Sequence, residues 1–113
     1  MNRNRNHIVG GIVFRHEGNG CLTAKYHHDG SRECPFTESC KLIDREVTND
    51  VFIGRYRTVW LEDSNRNHAA ELLIEQDPTN NALYKLTWGN TANPTFEGSG
   101  MLFEDFLVCT YWD

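Results

Sequence analysis

His16, His27 and His28, with Glu17 and Asp29 beside them, form the densest group of titratable side chains in the chain. An acid/base pair drawn from these five residues is what a small enzyme would need at the mouth of a barrel. Their spacing works against it: a hairpin through Asn19-Gly20 puts His16 near Cys21 and sends His27 and His28 to the far end, near Ile8. Zinc needs three or four ligands converging at about 2.0 to 2.3 Å, and neither His27-His28 nor Cys34-x5-Cys40 has that spacing. No metal and no cofactor is expected. Ser31, Ser39, Ser64 and Ser99 lie in turns without a nucleophile elbow. Gly98-Ser99-Gly100 precedes a strand and not a helix, so it reads as a close crossing or bulge rather than a phosphate loop.

Two further groups carry binding chemistry. Arg55 and Arg57 share one face of a strand and suit carboxylate pairing, either within the chain, with a second subunit or with an anionic ligand. Tyr56, Trp60, Tyr84 and Trp88 are expected two or four residues apart on one face of adjacent strands. They are the candidate contacts for a small, partly apolar ligand, a flat heterocycle or an aromatic acid, with Arg55 or Arg57 at the rim. The commoner use of such rings is to fill a core.

The elements that would hold these residues are strands. The segment 83–112 reads as strand, turn, strand, tight turn, strand, because aromatic and β-branched residues recur at period two. Asn19-Gly20 between apolar runs is a strong hairpin signal. Asp29-Gly30, Pro78 with Asn80-Asn81, Asn90 to Pro94, and Glu104-Asp105 mark further turns at the spacing of a sandwich or barrel. Val51 to Leu61 is the longest strand candidate, with Phe52, Gly54, Tyr56, Thr58 and Trp60 on one face and a bend expected at Gly54. Residues 67–76 hold the one stretch compatible with a helix, and a strand over 72–76 fits better because it completes a hairpin. The segment between Cys34 and Cys40 reads as a loop in which the two cysteines are close enough to pair.

The expected fold is all-β: a single domain over residues 1–113, an antiparallel meander of seven to eight short strands forming a small barrel or strongly curled sheet, with residues 1–6 disordered. Phe14, Leu22, Tyr26, Phe52, Tyr56, Trp60, Leu86, Trp88, Phe106 and Val108 are expected in the core. Asn4-Arg5-Asn6-His7 recurs as Asn65-Arg66-Asn67-His68, each followed by a similar hairpin plan, which two unrelated hairpins would also produce.

Gly54-x-Tyr56-x3-Trp60, Tyr84-x3-Trp88, and Phe96-x-Gly98-x-Gly100 leading to Leu107-x3-Tyr111-Trp112 resemble the strand grammar of small antiparallel barrels of the avidin and lipocalin-like kind. That resemblance implies a barrel whose mouth holds a small ligand among aromatic side chains. The first half of the chain lacks the avidins' ligand-contacting motif and their Gly-x-Trp opening strand, so no particular ligand is implied.

The formal charge of −5 is unevenly spread, with nine Lys/Arg against seven Asp/Glu in residues 1–60 and two against nine in residues 61–113. Such an acidic balance repels phosphate backbones, and nucleic acid is not an expected partner. The apolar run Ile8 to Phe14 after Arg3 and Arg5 is too short to span a bilayer and lacks a cleavage site, so no membrane association and a cytoplasmic location are expected. Cys21, Cys34, Cys40 and Cys109 are then expected to remain largely reduced. Apolar residues on both faces of the last strand point to a homo-oligomer, most simply a dimer.

Overall fold

Asn19 and Gly20 adopt φ angles of 53° and 75°, the left-handed pair that a two-residue hairpin turn requires. They join β1 (Val9–Gly18) to β2 (Cys21–His28) in a ladder running from Gly10 opposite His28 to His16 opposite Leu22. Six strands follow: β3 (Phe36–Asp44), β4 (Gly54–Glu62), β5 (Arg66–Gln76), β6 (Tyr84–Asn90), β7 (Asn93–Phe103) and β8 (Phe106–Trp112). Each pairs antiparallel with the next, and β8 returns to β1 from Val9 opposite Trp112 to Arg15 opposite Phe106. The protein is therefore a closed eight-stranded up-and-down barrel, the meander expected from its turns. The computed structural model describes residues 8–30, 35–46, 49–62 and 66–113. Residues 1–6, the first copy of the Asn-Arg-Asn-His repeat, Cys34, Ser31 and Ser64 lie outside them.

Connections after β1, β3, β5 and β7 gather at one end of the barrel, here the lower end, and those after β2, β4 and β6 at the upper end. An eight-stranded barrel is just wide enough for its own side chains to fill. Alternation delivers Ile12 and Phe14 from β1, Leu22, Ala24 and Tyr26 from β2, Tyr56 and Trp60 from β4, Leu72 and Ile74 from β5, and Tyr84, Leu86 and Trp88 from β6, all buried. The lower end is plugged by the segment between β3 and β4. Phe52 is 3% exposed there, and the Tyr56 hydroxyl donates to its carbonyl at 2.9 Å. Arg45 Nε donates to the Ile53 carbonyl at 2.7 Å. Asp50 Oδ1 accepts the Phe52 amide at 2.8 Å, while its Oδ2 accepts the Tyr84 hydroxyl.

Several expectations are corrected. On β8 the inward residues are Leu107, Cys109 and Tyr111, whereas Phe106 is 37% exposed and Val108 half-buried. Both faces of this strand are apolar, so its register could not be read from hydrophobicity, and a shift of one residue inverts every side chain. The neighbouring strand settles it: inward Gly98 and Gly100 stand opposite Tyr111 and Cys109 and leave the room these side chains fill. The two glycines sit in regular pairing, a close approach without a bulge. The segment read as a loop between Cys34 and Cys40 is β3 from Phe36 onward, and Cys40 is a buried free thiol. The strand expected over 51–61 begins at Gly54, and the register shift lies opposite it, between Leu42 and Asp44 of β3. Residues 67–76 are strand throughout, paired to β4 from Trp60 opposite His68 to Gly54 opposite Ile74.

Opposite faces of β8 should therefore respond differently to truncation. Leu107, fully buried, should cost about 2–5 kcal/mol when replaced by alanine. Val108→Thr should stay within about 0.5 kcal/mol as a surface change. Urea unfolding of the two variants checks the assignment, and equal losses would contradict it.

Candidate functional site

Phe36, Glu38, Cys40 and Leu42 alternate inward along β3, which places a carboxyl group inside the barrel between Ala24 of β2 and Trp60 of β4. Glu38 is 4% exposed. A buried carboxylate is costly unless it is hydrogen-bonded, and three donors converge on it. Thr58 Oγ1 donates to Oε2 at 2.5 Å, Trp88 Nε1 reaches the same oxygen across the lumen at 2.9 Å, and the Cys40 thiol lies 3.7 Å away. Cys40 Sγ is also 3.4 Å from Thr58 Oγ1.

Burial dominates the electrostatics of this group. It raises the Glu38 pKa above the ordinary carboxylate range, and the hydrogen bonds from Thr58, Trp88 and Cys40 offset only part of that. The Cys40 thiol is pushed up by burial and then by the neighbouring Glu38, and burial with the same carboxyl pushes Cys109 up to about 12. Both sulfurs are therefore protonated thiols near neutral pH, poor nucleophiles.

On the upper side of Glu38 lies a cavity of about 20 Å³ lined by Ile12, Tyr26, Glu38, Trp60, Trp88, Phe96 and Tyr111. That space admits the centre of roughly one water-sized group. The walls are aromatic. Tyr111 meets Tyr26 and Phe96 edge-on at centroid distances of 6.2 and 5.8 Å and Trp88 at 6.0 Å, while Trp60 stacks on His68 at 5.5 Å. Gly10 on β1 makes the Tyr111 position available, because a Cβ there would lie 2.6 Å from the ring and 2.4 Å from the His27 carbonyl.

Trp60 and Trp88, two of the four expected aromatic contacts, do meet at this cavity. Tyr56 and Tyr84 do not: they lie toward the lower end, with their hydroxyls tied to the plug. The four are not on adjacent strands either, since β5 runs between β4 and β6. Arg55 projects outward and pairs with Asp44 at 2.5 Å and Glu71 at 3.0 Å, the internal pairing foreseen as one option. Arg57, also exposed, stands in register with Lys41 and Glu71 on the outside. The lumen thus contains an acid, Glu38, while Arg55 and Arg57 lie on the outer surface.

His16 and Glu17 lie at the lower end, where Glu17 pairs with Arg15 at 2.5 Å. His27, His28 and Asp29 lie at the upper end, with His28 stacked on Phe36 at 6.0 Å and Asp29 Oδ1 accepting the Val9 amide at 3.2 Å. The five residues considered for acid/base work are not brought together. Among the described residues, no three His, Cys, Asp or Glu side chains are grouped to hold a metal ion. Glu38 was missed because Pro35, Thr37 and Ser39 give its segment the look of a loop. The signal that could have found it is one acid at an inward position of the Phe36, Cys40, Leu42 alternation. Compared with family models, curated proteins and solved structures, the chain matches none.

A pH prediction follows from the raised Glu38 pKa. Above its ordinary value of 4.5 the unfolded chain releases this proton while the folded barrel keeps it. The stabilisation from Glu38 is complete below that value and is lost as pH rises toward the folded pKa, at a slope of up to about 1.4 kcal/mol per pH unit. Glu38→Gln should flatten this decline and be more stable than the parent at pH 7. Parallel denaturant titrations between pH 5 and 8 check it, and identical pH profiles for the two proteins would contradict it.

Proposed function

We propose that this chain is a non-catalytic binding protein that takes a small, partly apolar ligand into the upper lumen of its barrel, against Trp60, Trp88 and Glu38. The observation that carries the reading is Glu38 itself, an acid held beside a small aromatic cavity in a lumen that apolar packing could have filled at lower cost. On this reading the barrel serves as those of the avidin and lipocalin-like kind do, with the ligand at one mouth among aromatic rings. A cytoplasmic location suits its thiols, since Cys21, Cys40 and Cys109 are free. Indole emission provides the test. Small molecules that enter the lumen should perturb it saturably, and Trp88→Phe, which removes the hydrogen bond to Glu38, should weaken their binding by about five- to tenfold. A panel with no saturable response would overturn the proposal.

A second reading rests on the barrel exterior. Met101, Phe103 and Phe106 are 54%, 64% and 37% exposed. Val13, Val108 and Met101 align across β1, β8 and β7 in one row, with Phe106 and Phe103 in the next. We propose that a second copy of the chain covers this stripe, because a two-fold axis lets one apolar surface complement itself. Light scattering should give a dimer mass at micromolar concentration, and Phe103→Lys should shift it to monomer without altering the circular dichroism. A monomer mass for the parent protein would refute this.

A further inference from the structure

Every hydrogen bond that Glu38 receives ends on Oε2. Among the described residues none ends on Oε1, although the side chain is 4% exposed and lines the upper cavity. Three donors on one oxygen favour the charged form of the carboxyl but offset only part of the effect of burial. Glu38 by itself therefore holds the proton, and a positive partner on the other oxygen is what would draw it off. The remaining walls include Tyr26, Trp60, Trp88, Phe96 and Tyr111, whose ring faces carry negative quadrupole and attract cations. An anion would gain no charge pairing from Glu38 in either protonation state, while a neutral hydroxyl could take the hydrogen bond but would not draw off the carboxyl proton.

We propose, building on the lumen-binding reading above, that the anchoring group of the ligand is a protonated primary amine, its ammonium donating to Glu38 Oε1 within the aromatic walls and its alkyl part directed to the mouth. Size supports this choice of cation. A cavity of about 20 Å³ matches an ammonium head, close to a water molecule in volume, and is too small for a trimethylammonium group. The net charge of −5 favours the approach of a cation over that of an anion.

The test uses the full chain carrying Trp112→Phe, so that emission comes from Trp60 and Trp88, titrated at constant ionic strength with butylamine, 1-butanol, butyrate and butyltrimethylammonium. Butylamine should bind saturably and more tightly than 1-butanol and butyltrimethylammonium by about tenfold or more, with butyrate inert. Glu38→Gln should abolish the preference for the amine over the alcohol. In proton spectra of the bound amine, the methylene next to nitrogen should shift upfield more than the terminal methyl, since it sits deeper among the rings. If 1-butanol binds as tightly as butylamine, if folded Glu38→Gln keeps the preference, or if the terminal methyl shifts more, the amine assignment is overturned and the lumen reading stands. If none of the four compounds changes emission saturably, the lumen reading falls with it. Should Glu38→Gln not fold, the comparison in the Trp112→Phe chain and the direction of the methylene shift decide the matter without it.

Discussion

Closure of β8 onto β1 is the constraint on which the rest of the structure depends. Seven residue pairs from Val9 opposite Trp112 to Arg15 opposite Phe106 turn a sheet with two open edges into a ring with none. Amides beyond the ladder extend the seam: Ile8 donates to the Asp113 carboxylate at 2.7 Å, and the Asp113 amide returns to the Ile8 carbonyl at 3.1 Å. Closure defines an inside, and once an inside exists each strand has only one acceptable phase. The fully buried Phe14 and Leu107, opposite one another across this seam, are its apolar counterpart.

The lumen so formed is unevenly filled. In its lower part Leu22, Leu72, Ile74, Leu86 and Tyr56 pack without exposure or nearly so, and the plug carrying Phe52 closes the end. In its upper part glycines replace larger side chains on two strands, Gly10 beside Tyr111 and Gly98 within 3.2 Å of Trp88 by its missing Cβ. Aromatic rings spread into the space this frees. The Trp88 indole then spans the lumen to Glu38, and the hydrogen bond marks the boundary between a packed core and a cavity. The lower end thus supplies the packing, which lets the upper end hold an unfavourable acid beside a cavity.

Much of this architecture was legible in the sequence because local signals agreed with one another. Asn19-Gly20, Asp29-Gly30 and Glu104-Asp105 fix turns by backbone chemistry that tertiary context rarely overrides, and eight of the ten residues expected in the core are buried. The failures share a physical cause. On β8 both faces are apolar, so only the glycines of its neighbour could decide between them. On β3 the inward acid interrupts the apolar alternation, so the strand looked like a loop and the functional candidate vanished with it. Tyr56 and Tyr84 satisfied the same spacing rule as Trp60 and Trp88. Both tyrosines stand near the lower starts of β4 and β6, with their hydroxyls on residues 52 and 50 of the plug, and period-two reasoning gives the face of a strand but not the height of a residue in the barrel.

The seam between β1 and β8 also governs when the cavity can exist. Its pairings join residues roughly a hundred positions apart, and contacts of such separation form late and slowly because the intervening chain must be ordered first. Ile12 from β1 and Tyr111 from β8 line the cavity from either side of that seam. A partly folded chain with its other hairpins in place therefore has the rings but no enclosure. Any occupant of the cavity would require the completed barrel and would add its binding free energy to the cohesion of the one ladder that makes the sheet a ring.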